Sequence, residues 1–420
     1  MSDRTSGRRR FLQMAGSGVA AVAAGAATAA TVHTPPGAAE GIRVKLPPTL
    51  AGSEAPEKDP LVTPPGKRIG FAIVGLGHLA LEWILPAFAQ SKYAKPVALV
   101  SGDPAKARKV ADQYGIAGRS VYGYKDFDRI AHDDAVDVIY IVLPNSMHAE
   151  FTVRGAAAGK HILCEKPMAT SVAECESMIA ACRHANVRLM IGYRSQYEPM
   201  DRAIAKLVRD GKLGALRELV ASNSQRQGDP GQWRQKKALA GGGALPDIGL
   251  YCLNAARFLS GEEPTEVFAS TWAPAGDPRF TEVEAAVRFS LAFPSGFGAT
   301  AVASYDSHDS RFFRLQGTEG WAGMNPAFAY QGLKMQQSRL IEGHDTLLEP
   351  SFPPRSQFAT ELDHMARCIV DGREPHTPGE EGLQDQKIMD AIYTSAREGR
   401  VVRIAPPPAR TRGPEPDDDA

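Results

Sequence analysis

A lysine set against a proline, and an acid and a tyrosine one helical turn apart, are the residues of this sequence best suited to chemistry. Lys166 stands in the run Cys164-Glu165-Lys166-Pro167. A lysine that ends an apolar run and is backed by a rigid residue is poorly explained as a solubilising charge. It is suited to donate to a substrate oxygen and to stabilise the deprotonated form of a neighbouring acid or base. Asp247 and Tyr251 follow the glycines 241–243 in Ala244-Leu245-Pro246-Asp247-Ile248-Gly249-Leu250-Tyr251. A helix beginning near Leu245 puts both side chains on one face, and the glycines ahead of it let that face come close to a ligand. A tyrosine is a poor base near neutral pH unless a cation stabilises its phenolate, and Lys166 is the candidate cation. A buried tyrosine bonded to an acid is the alternative reading of the same pair.

Gly75-Leu76-Gly77-His78-Leu79-Ala80 follows a short apolar run and opens a helical pattern. In that context the first glycine makes the turn, the second lets backbone approach a pyrophosphate, and Ala80 permits close helix packing. The phosphates then rest on the helix N-terminus. A plain glycine-rich turn is the bland alternative. The next apolar run ends Val100-Ser101-Gly102, with Asp103, Lys106 and Arg108 behind it. A hydroxyl backed by cations suits a 2′-phosphate and hence NADP, whereas Asp103 by itself would favour NAD. The third run ends Leu143-Pro144-Asn145, with His148 shortly after. Leu143, Pro144, Asn145 and Glu165 are therefore expected beside the cofactor, because ligands bind beyond the carboxyl ends of parallel strands. His148 reads equally as a cofactor neighbour or as a capping histidine at the surface.

These residues need strands to carry them. Short apolar runs over 69–74, 97–100, 136–143, 161–164 and 187–191 alternate with helical patterns over 79–90, 104–114, 149–158 and 172–186, the last opened by the capping box Ser171/Glu174. The alternation predicts a doubly wound parallel α/β domain over 68–192. After Gly214 the runs 216–222, 266–272, 282–293, 297–305 and 312–317 are β-branched or aromatic-rich and joined by turns such as Pro294-Ser295-Gly296. They predict an α+β domain over 193–405 with an open, mainly antiparallel sheet. Helices over 245–259 and 357–371 are expected on one of its faces, and a last helix over 383–399 is expected to pack back onto the body. The stretch 406–420 reads as a disordered, solvated tail.

Lysine plus arginine and aspartate plus glutamate both total 48 in a chain of 420 residues, a balance that favours neither nucleic acid nor an anionic membrane. A small neutral substrate fits it better. The five cysteines, Cys164, Cys175, Cys182, Cys252 and Cys368, lack the spacing of a disulfide framework or a zinc site and read as free thiols, with no metal expected. Arg8-Arg9-Arg10-Phe11-Leu12 precedes an uncharged Ala/Gly-rich stretch with small-x-small sites. That pattern predicts a twin-arginine export signal over 1–30, export of the folded protein by that machinery to the periplasm, and no membrane span in the mature form. The Pro-rich stretch 31–67 reads as an extended arm or linker.

Taken together, GLGHLAL, LPNSMHAEF, GKHILCEKPMATS, LMIGYRSQYEP, GGGALPDIGLYCLN and PGEEGLQDQKI resemble the Gfo/Idh/MocA family, most closely its periplasmic glucose-fructose oxidoreductase branch, from about residue 67 to 404. The resemblance implies a Rossmann domain, a second domain whose open sheet joins copies into a dimer or tetramer, and tightly bound NADP. It further implies oxidation of glucose to gluconolactone coupled to reduction of fructose to sorbitol. An aldose-aldose oxidoreductase and a simple NADP-dependent aldose dehydrogenase are the alternatives within the family. Carried over by position, Lys166 matches the catalytic lysine, Asp247 the conserved acid and Tyr251 the proton acceptor. Arg194 and Tyr197 match a substrate-side segment, with Arg194 and Lys166 also expected to touch the cofactor; Trp233 and Arg234 match a pair near the cofactor, and Ser101 and Lys106 the NADP phosphate site. The Pro-rich arm resembles one that holds the cofactor in a neighbouring subunit. His78 departs from the lysine or other polar group expected beside the cofactor, and 225–232 departs from the expected loop over the sugar. A catalytically silent NADP-binding sensor of the same fold is the rival class, and retention of Lys166, Asp247 and Tyr251 argues against it.

Overall fold

The structure, a computed structural model, describes residues 68–416. The twin-arginine stretch, the Pro-rich arm and the last four residues lie outside the described residues. Six strands, β1 (Ile69–Val74), β2 (Ala94–Val100), β3 (Val121–Tyr122), β4 (Val138–Ile141), β5 (His161–Glu165) and β6 (Leu189–Gly192), form a parallel sheet in the order β3-β2-β1-β4-β5-β6. The order reverses between β1 and β4, so a crevice opens beyond their carboxyl ends. β1 reads IGFAIV and is buried along its whole length, as a parallel strand covered on both faces must be.

The helical stretch after β1 runs over 78–87 and contains a wide π-type turn, Ala80–Ile84, before α1 (Leu85–Ala87). α2 (Pro104–Tyr114) is capped by Asp103, whose side chain accepts from the Lys106 amide, and it stops at Gly115 in the left-handed conformation. α3 (His148–Ala157) and α4 (Val172–His184) cover the sheet further on. Ser171 caps α4 by accepting from the Glu174 amide, while Glu174 reaches back to the amide and hydroxyl of Thr170. The reciprocal bonds of the expected capping box are both present, the second shifted by one residue.

The second sheet has nine strands: β7 (Leu216–Arg226), β8 (Glu266–Trp272), β9 (Ala286–Ala292), β10 (Gly298–Ser304), β11 (Asp306–Gly317), β12 (Gly320–Met324), β13 (Met335–Ile341), β14 (His344–Leu348) and β15 (Val402–Arg403). Their order is β14-β13-β12-β11-β7-β10-β9-β8-β15, antiparallel except where β7 meets β10. The sequence pattern misses β12 to β14, because strands such as β13, MQQSRLI, are partly exposed and carry no regular alternation. α5 (Pro199–Arg209) links the two sheets, and α6 (Lys237–Ala240) precedes a π-type turn, Leu245–Gly249, that runs into α7 (Leu250–Ser260) beneath β7 and β10.

Two expectations are corrected. α8 (Gln357–Val370) does not cover the second sheet: Phe358, Leu362, Met365 and Ala366 pack against Phe71, Ile73, Leu99 and Tyr140 of the parallel sheet. Each such large buried side chain contributes roughly 1.5–3 kcal/mol, so this helix from late in the chain is a layer of the first domain. Helical periodicity shows that a face is buried and not which sheet buries it. The last helix, α9 (Gly379–Glu398), packs on β8 and α4.

The tail is also ordered over its described part, 406–416. Thr411 is buried and bonds Glu381, Arg412 bonds Glu381 and the Arg257 carbonyl, and the Pro416 carbonyl accepts from Arg202. The segment builds no core of its own. It is held because Arg257, fully buried among Glu263, Glu381 and Asp385, draws further hydrogen-bonding partners toward those buried charges. All five cysteines are free and buried, as expected from their spacing. Among the described residues no helix is long and apolar enough to cross a membrane, and no group of His, Cys, Asp or Glu is placed to hold a metal ion.

Candidate active site

A cleft of about 450 Å³ opens at the β1/β4 switch point and extends to the start of α7. Its floor is the β1 turn. Gly75 has φ +97°, and a Cβ there would lie 2.2 Å from the Val142 carbonyl oxygen, so only glycine fits. A Cβ at Gly77 would meet nothing within 4 Å, so the absent side chain leaves open cleft above this backbone. Leu76, His78 and Leu79 complete this wall, with His78 exposed and paired to Glu82 at 3.0 Å.

Ser101, Gly102 and Lys106 line the adjoining end, where the Lys106 ammonium lies 3.4 Å from the Leu76 carbonyl oxygen. Asp103, the residue that would argue for NAD, uses its carboxylate as the N-cap of α2 and supports the Ser101 loop through its own amide. Open space above a glycine turn, with a hydroxyl and a cation at the end of β2, fits a dinucleotide carrying a 2′-phosphate.

Leu143, Pro144 and Asn145 line the cleft, and Asn145 ties the β4 loop to the Ala240 carbonyl at 2.9 Å. His148 does not line it, and it is not a surface cap. It is fully buried, with its two ring nitrogens 2.9 Å from the Leu143 and Pro167 carbonyl oxygens. It clamps the ends of β4 and β5, and burial holds its pKa below the ordinary histidine range. Tyr197 is likewise outside the cleft. Its ring is a core element against His364 and His376, and its hydroxyl meets Thr377 at 2.8 Å.

At the far end the sequence-predicted residues converge. Lys166 Nζ donates to the Asp247 carbonyl oxygen at 2.8 Å and approaches Oδ1 at 3.3 Å. Asp247 Oδ2 accepts from Arg234 Nε at 3.0 Å and from the Tyr305 hydroxyl at 2.6 Å. Burial alone would raise the Asp247 carboxyl, but Arg234 and Lys166 outweigh it and hold the group well below the carboxylate range. Burial would likewise lower Lys166, yet Tyr251 and Asp247 hold it above its ordinary value, so it stays a cation. Arg234 stacks on Trp233 with 4.5 Å to the ring centroid, and both line the cleft.

The cation that meets the Tyr251 hydroxyl is not the expected one. Lys166 lies over the ring, 4.5 Å from its centroid, while Arg194 Nε donates to the hydroxyl at 3.1 Å. The glycines ahead of α7 also act differently from the expectation. A Cβ at Gly242 would lie 2.0 Å from the Tyr393 hydroxyl, and one at Gly243 2.1 Å from the Glu284 carbonyl oxygen. They let the loop sink against Glu284, which accepts from the Gly243 and Leu245 amides. This anchors the start of the helix that carries Asp247 and Tyr251. Glu165 lines the cleft and accepts from Tyr140 at 2.8 Å. Motif reading missed Tyr124, Tyr330 and Phe358 in the lining, and Tyr305, because none sits in a local pattern with chemical meaning.

Chemically, the arrangement offers a phenol between two fixed cations, an ionised acid locked by two more donors, and a cleft that runs from the glycine turn and Lys106 to both. The family model described as "Oxidoreductase family, NAD-binding Rossmann fold" matches residues 69–193, and that described as "GFO/IDH/MocA C-terminal domain" matches 202–323. The chain is 32% identical over 349 residues to the D-xylose 1-dehydrogenase (NADP(+)) of Haloarcula marismortui, across 80% of this chain and 93% of that protein. It is 30% identical over 334 residues to D-xylose 1-dehydrogenase (NADP(+)) 2 of Haloferax volcanii, across 80% and 99%. The crystal structure of the aldose-aldose oxidoreductase from Caulobacter crescentus, complexed with glycerol, superposes with a TM-score of 0.78 at 47% identity, covering 80% of this chain and all of that one.

Proposed function

The chain belongs to the GFO/IDH/MocA oxidoreductase family, and on that premise we propose that it is an NADP-dependent sugar oxidoreductase that couples oxidation of one aldose at C1 to reduction of a second aldose. The observation that carries the reading is the convergence of Lys166, Asp247 and Tyr251 at one end of the cleft. The similarity to the Caulobacter enzyme over that enzyme's full length supports an aldose rather than fructose as the second sugar.

Bound NADP supplies the hydride acceptor in the first half of the cycle and the donor in the second. The chain does the rest. Gly75, Gly77, Ser101 and Lys106 would hold its phosphates, and Leu143, Pro144 and Asn145 line the same cleft. Tyr251 takes the proton from the C1 hydroxyl as the carbonyl forms, and returns a proton to the second sugar. Lys166 donates to the sugar oxygen, and Asp247 fixes Lys166 and Arg234 as a rigid charged rim.

The reading extends to retention of the cofactor by the Pro-rich arm, export by the twin-arginine machinery to the periplasm, and association of copies through the open face of the second sheet. Val220 and Phe268 stand exposed on that face.

The test is incubation of purified protein with deuterium-labelled glucose at C1 and xylose, without added cofactor. Gluconate plus labelled xylitol, with NADP(H) released on denaturation, is the expected result. Hexitol labelled at C2 in an added fructose arm would establish the glucose-fructose cycle instead, and no product without added NADP would leave a simple dehydrogenase.

A further inference from the structure

Arg194 is nearly inaccessible to solvent, at 4% exposure, and has no carboxylate among its hydrogen-bond partners. Its Nε donates to the Tyr251 hydroxyl at 3.1 Å, one terminal nitrogen to the Phe328 carbonyl at 2.7 Å, and the other to the Ala329 carbonyl at 3.3 Å and to the Gln357 side-chain oxygen. The guanidinium lies between the rings of Tyr251 and Tyr330, 4.7 and 4.5 Å from their centroids. Buried arginines are ordinarily paired with an acid. Here every partner is neutral, and the only one able to become an anion is Tyr251.

The neighbouring titratable groups are arranged to leave that charge uncommitted. Glu165 ends β5, Glu198 and Asp201 begin α5, and Glu361 lies on α8; all feel Arg194, none bonds it, and burial raises each carboxyl toward its neutral form. Tyr330 is stacked on the guanidinium and is pushed up by burial to about 12. Facing Tyr251 itself are Lys166 from the β5 loop, Arg194 from the loop after β6, Tyr330, and Asp247 a turn earlier on its own helix. Lys166 presents its charge to the ring and its hydrogen bonds to Asp247. Arg194 is thus the cation bonded to the phenol oxygen.

We propose that Arg194 is the positioning residue for proton transfer at Tyr251, orienting the phenol oxygen through Nε and serving as the counter-ion of the phenolate formed when that oxygen loses its proton. This rests on Tyr251 being the base. It replaces the expectation that Arg194 binds the cofactor and that Lys166 alone activates the tyrosine. In the oxidative direction the C1 hydroxyl proton moves to the phenolate oxygen while the C1–H electron pair leaves as hydride to NADP, and the C1–O bond becomes a carbonyl. In the reductive direction the proton returns, and Arg194 stays charged throughout.

The test compares wild type with Arg194→Met, which removes the donor and the charge, and Arg194→Lys, which keeps a buried cation if the first variant folds poorly. Two readouts are taken on the holoenzyme: the pH dependence of kcat/KM for sugar oxidation, and ultraviolet phenolate absorbance during pH titration, with Tyr251→Phe as the blank. The expected result for Arg194→Met is an upward move of the acid limb by about one to two pH units, the scale of one lost opposite charge. The earliest phenolate signal, absent from Tyr251→Phe, should move with it. Sugar KM and NADP retention should stay within about twofold, and Arg194→Lys should recover part of the shift. A loss of turnover with neither limb nor phenolate signal displaced overturns the proposal, as does a loss of NADP with both unmoved. If Tyr251→Phe keeps wild-type turnover, the premise about the base fails, and the absorbance titration still decides whether Arg194 sets the phenol's ionisation.

Discussion

The Tyr305 hydroxyl, at the β10–β11 junction, donates to Asp247 Oδ2 at 2.6 Å. Burial raises the Tyr305 phenol well above its ordinary range, with Asp247 adding to that effect, so this tyrosine remains a donor. Asp247 is thereby held from three sides, by Tyr305, Arg234 and Lys166, and the rim of the cleft is fixed by a junction between two strands that carries no recognisable motif. Tyr305→Phe should lower kcat by about tenfold, with sugar KM little changed, since a hydrogen bond to a charged group contributes about 1.5–3 kcal/mol. Steady-state kinetics on the purified variant checks this. An unchanged kcat would show that Arg234 and Lys166 suffice.

Lys166→Met and Tyr251→Phe should each reduce turnover by roughly a hundredfold or more, the scale of a lost general acid or base. NADP should remain bound in both, because the phosphate end of the cleft is built from other residues. Single-turnover absorbance of the reduced cofactor separates the two quantities. Wild-type rates in either variant would remove that residue from the chemistry.

Lys106→Glu should weaken NADP by about 10–100-fold while changing NAD much less, as one charge-assisted bond to a phosphate is lost and a like charge takes its place. Fluorescence titration of both nucleotides measures the ratio. Equal weakening of the two would show that Lys106 does not meet the 2′-phosphate.

The depressed Asp247 and Glu381 carboxyls carry a signed consequence for pH. Their folded pKa values lie below the unfolded ones, so the stabilisation is complete above the ordinary carboxylate range, about pH 4. It is lost as pH falls toward the folded values. Asp247→Asn should be less stable than wild type at pH 7, because Lys166 and Arg234 lose their counter-ion, but should show a shallower further loss between about pH 4 and 2. Urea denaturation at several pH values reads both. Parallel pH curves for the two proteins would contradict the assignment.

Truncation after Pro408 removes Thr411 and Arg412 from the buried Glu381 and Arg257. The expected cost is about 3–5 kcal/mol, the range for disrupting a buried charged pair. It would be seen as a fall of several degrees in Tm by calorimetry, with the cofactor cleft intact. An unchanged Tm would mean that the tail only rests on the surface.

The sequence determined what depends on local geometry. A glycine turn after a buried strand, a lysine at a strand end and an acid and a tyrosine one turn apart each announce a constrained backbone position, and the parallel sheet places their strand ends together. Gly75, Ser101, Lys166, Asp247 and Tyr251 were legible for that reason and do line one cleft. Only the tertiary structure decided which charges meet. Arg194 bonds Tyr251 and Arg234 bonds Asp247, while His148 and Tyr197 turn into the core. Tyr305, Tyr330 and Phe358 reach the site from strands, a loop and a helix far along the chain. Contacts of that kind are set by how two sheets pack and by which buried donor each charge can reach. Periodicity and motif spacing, both properties of neighbours in sequence, carry no record of either.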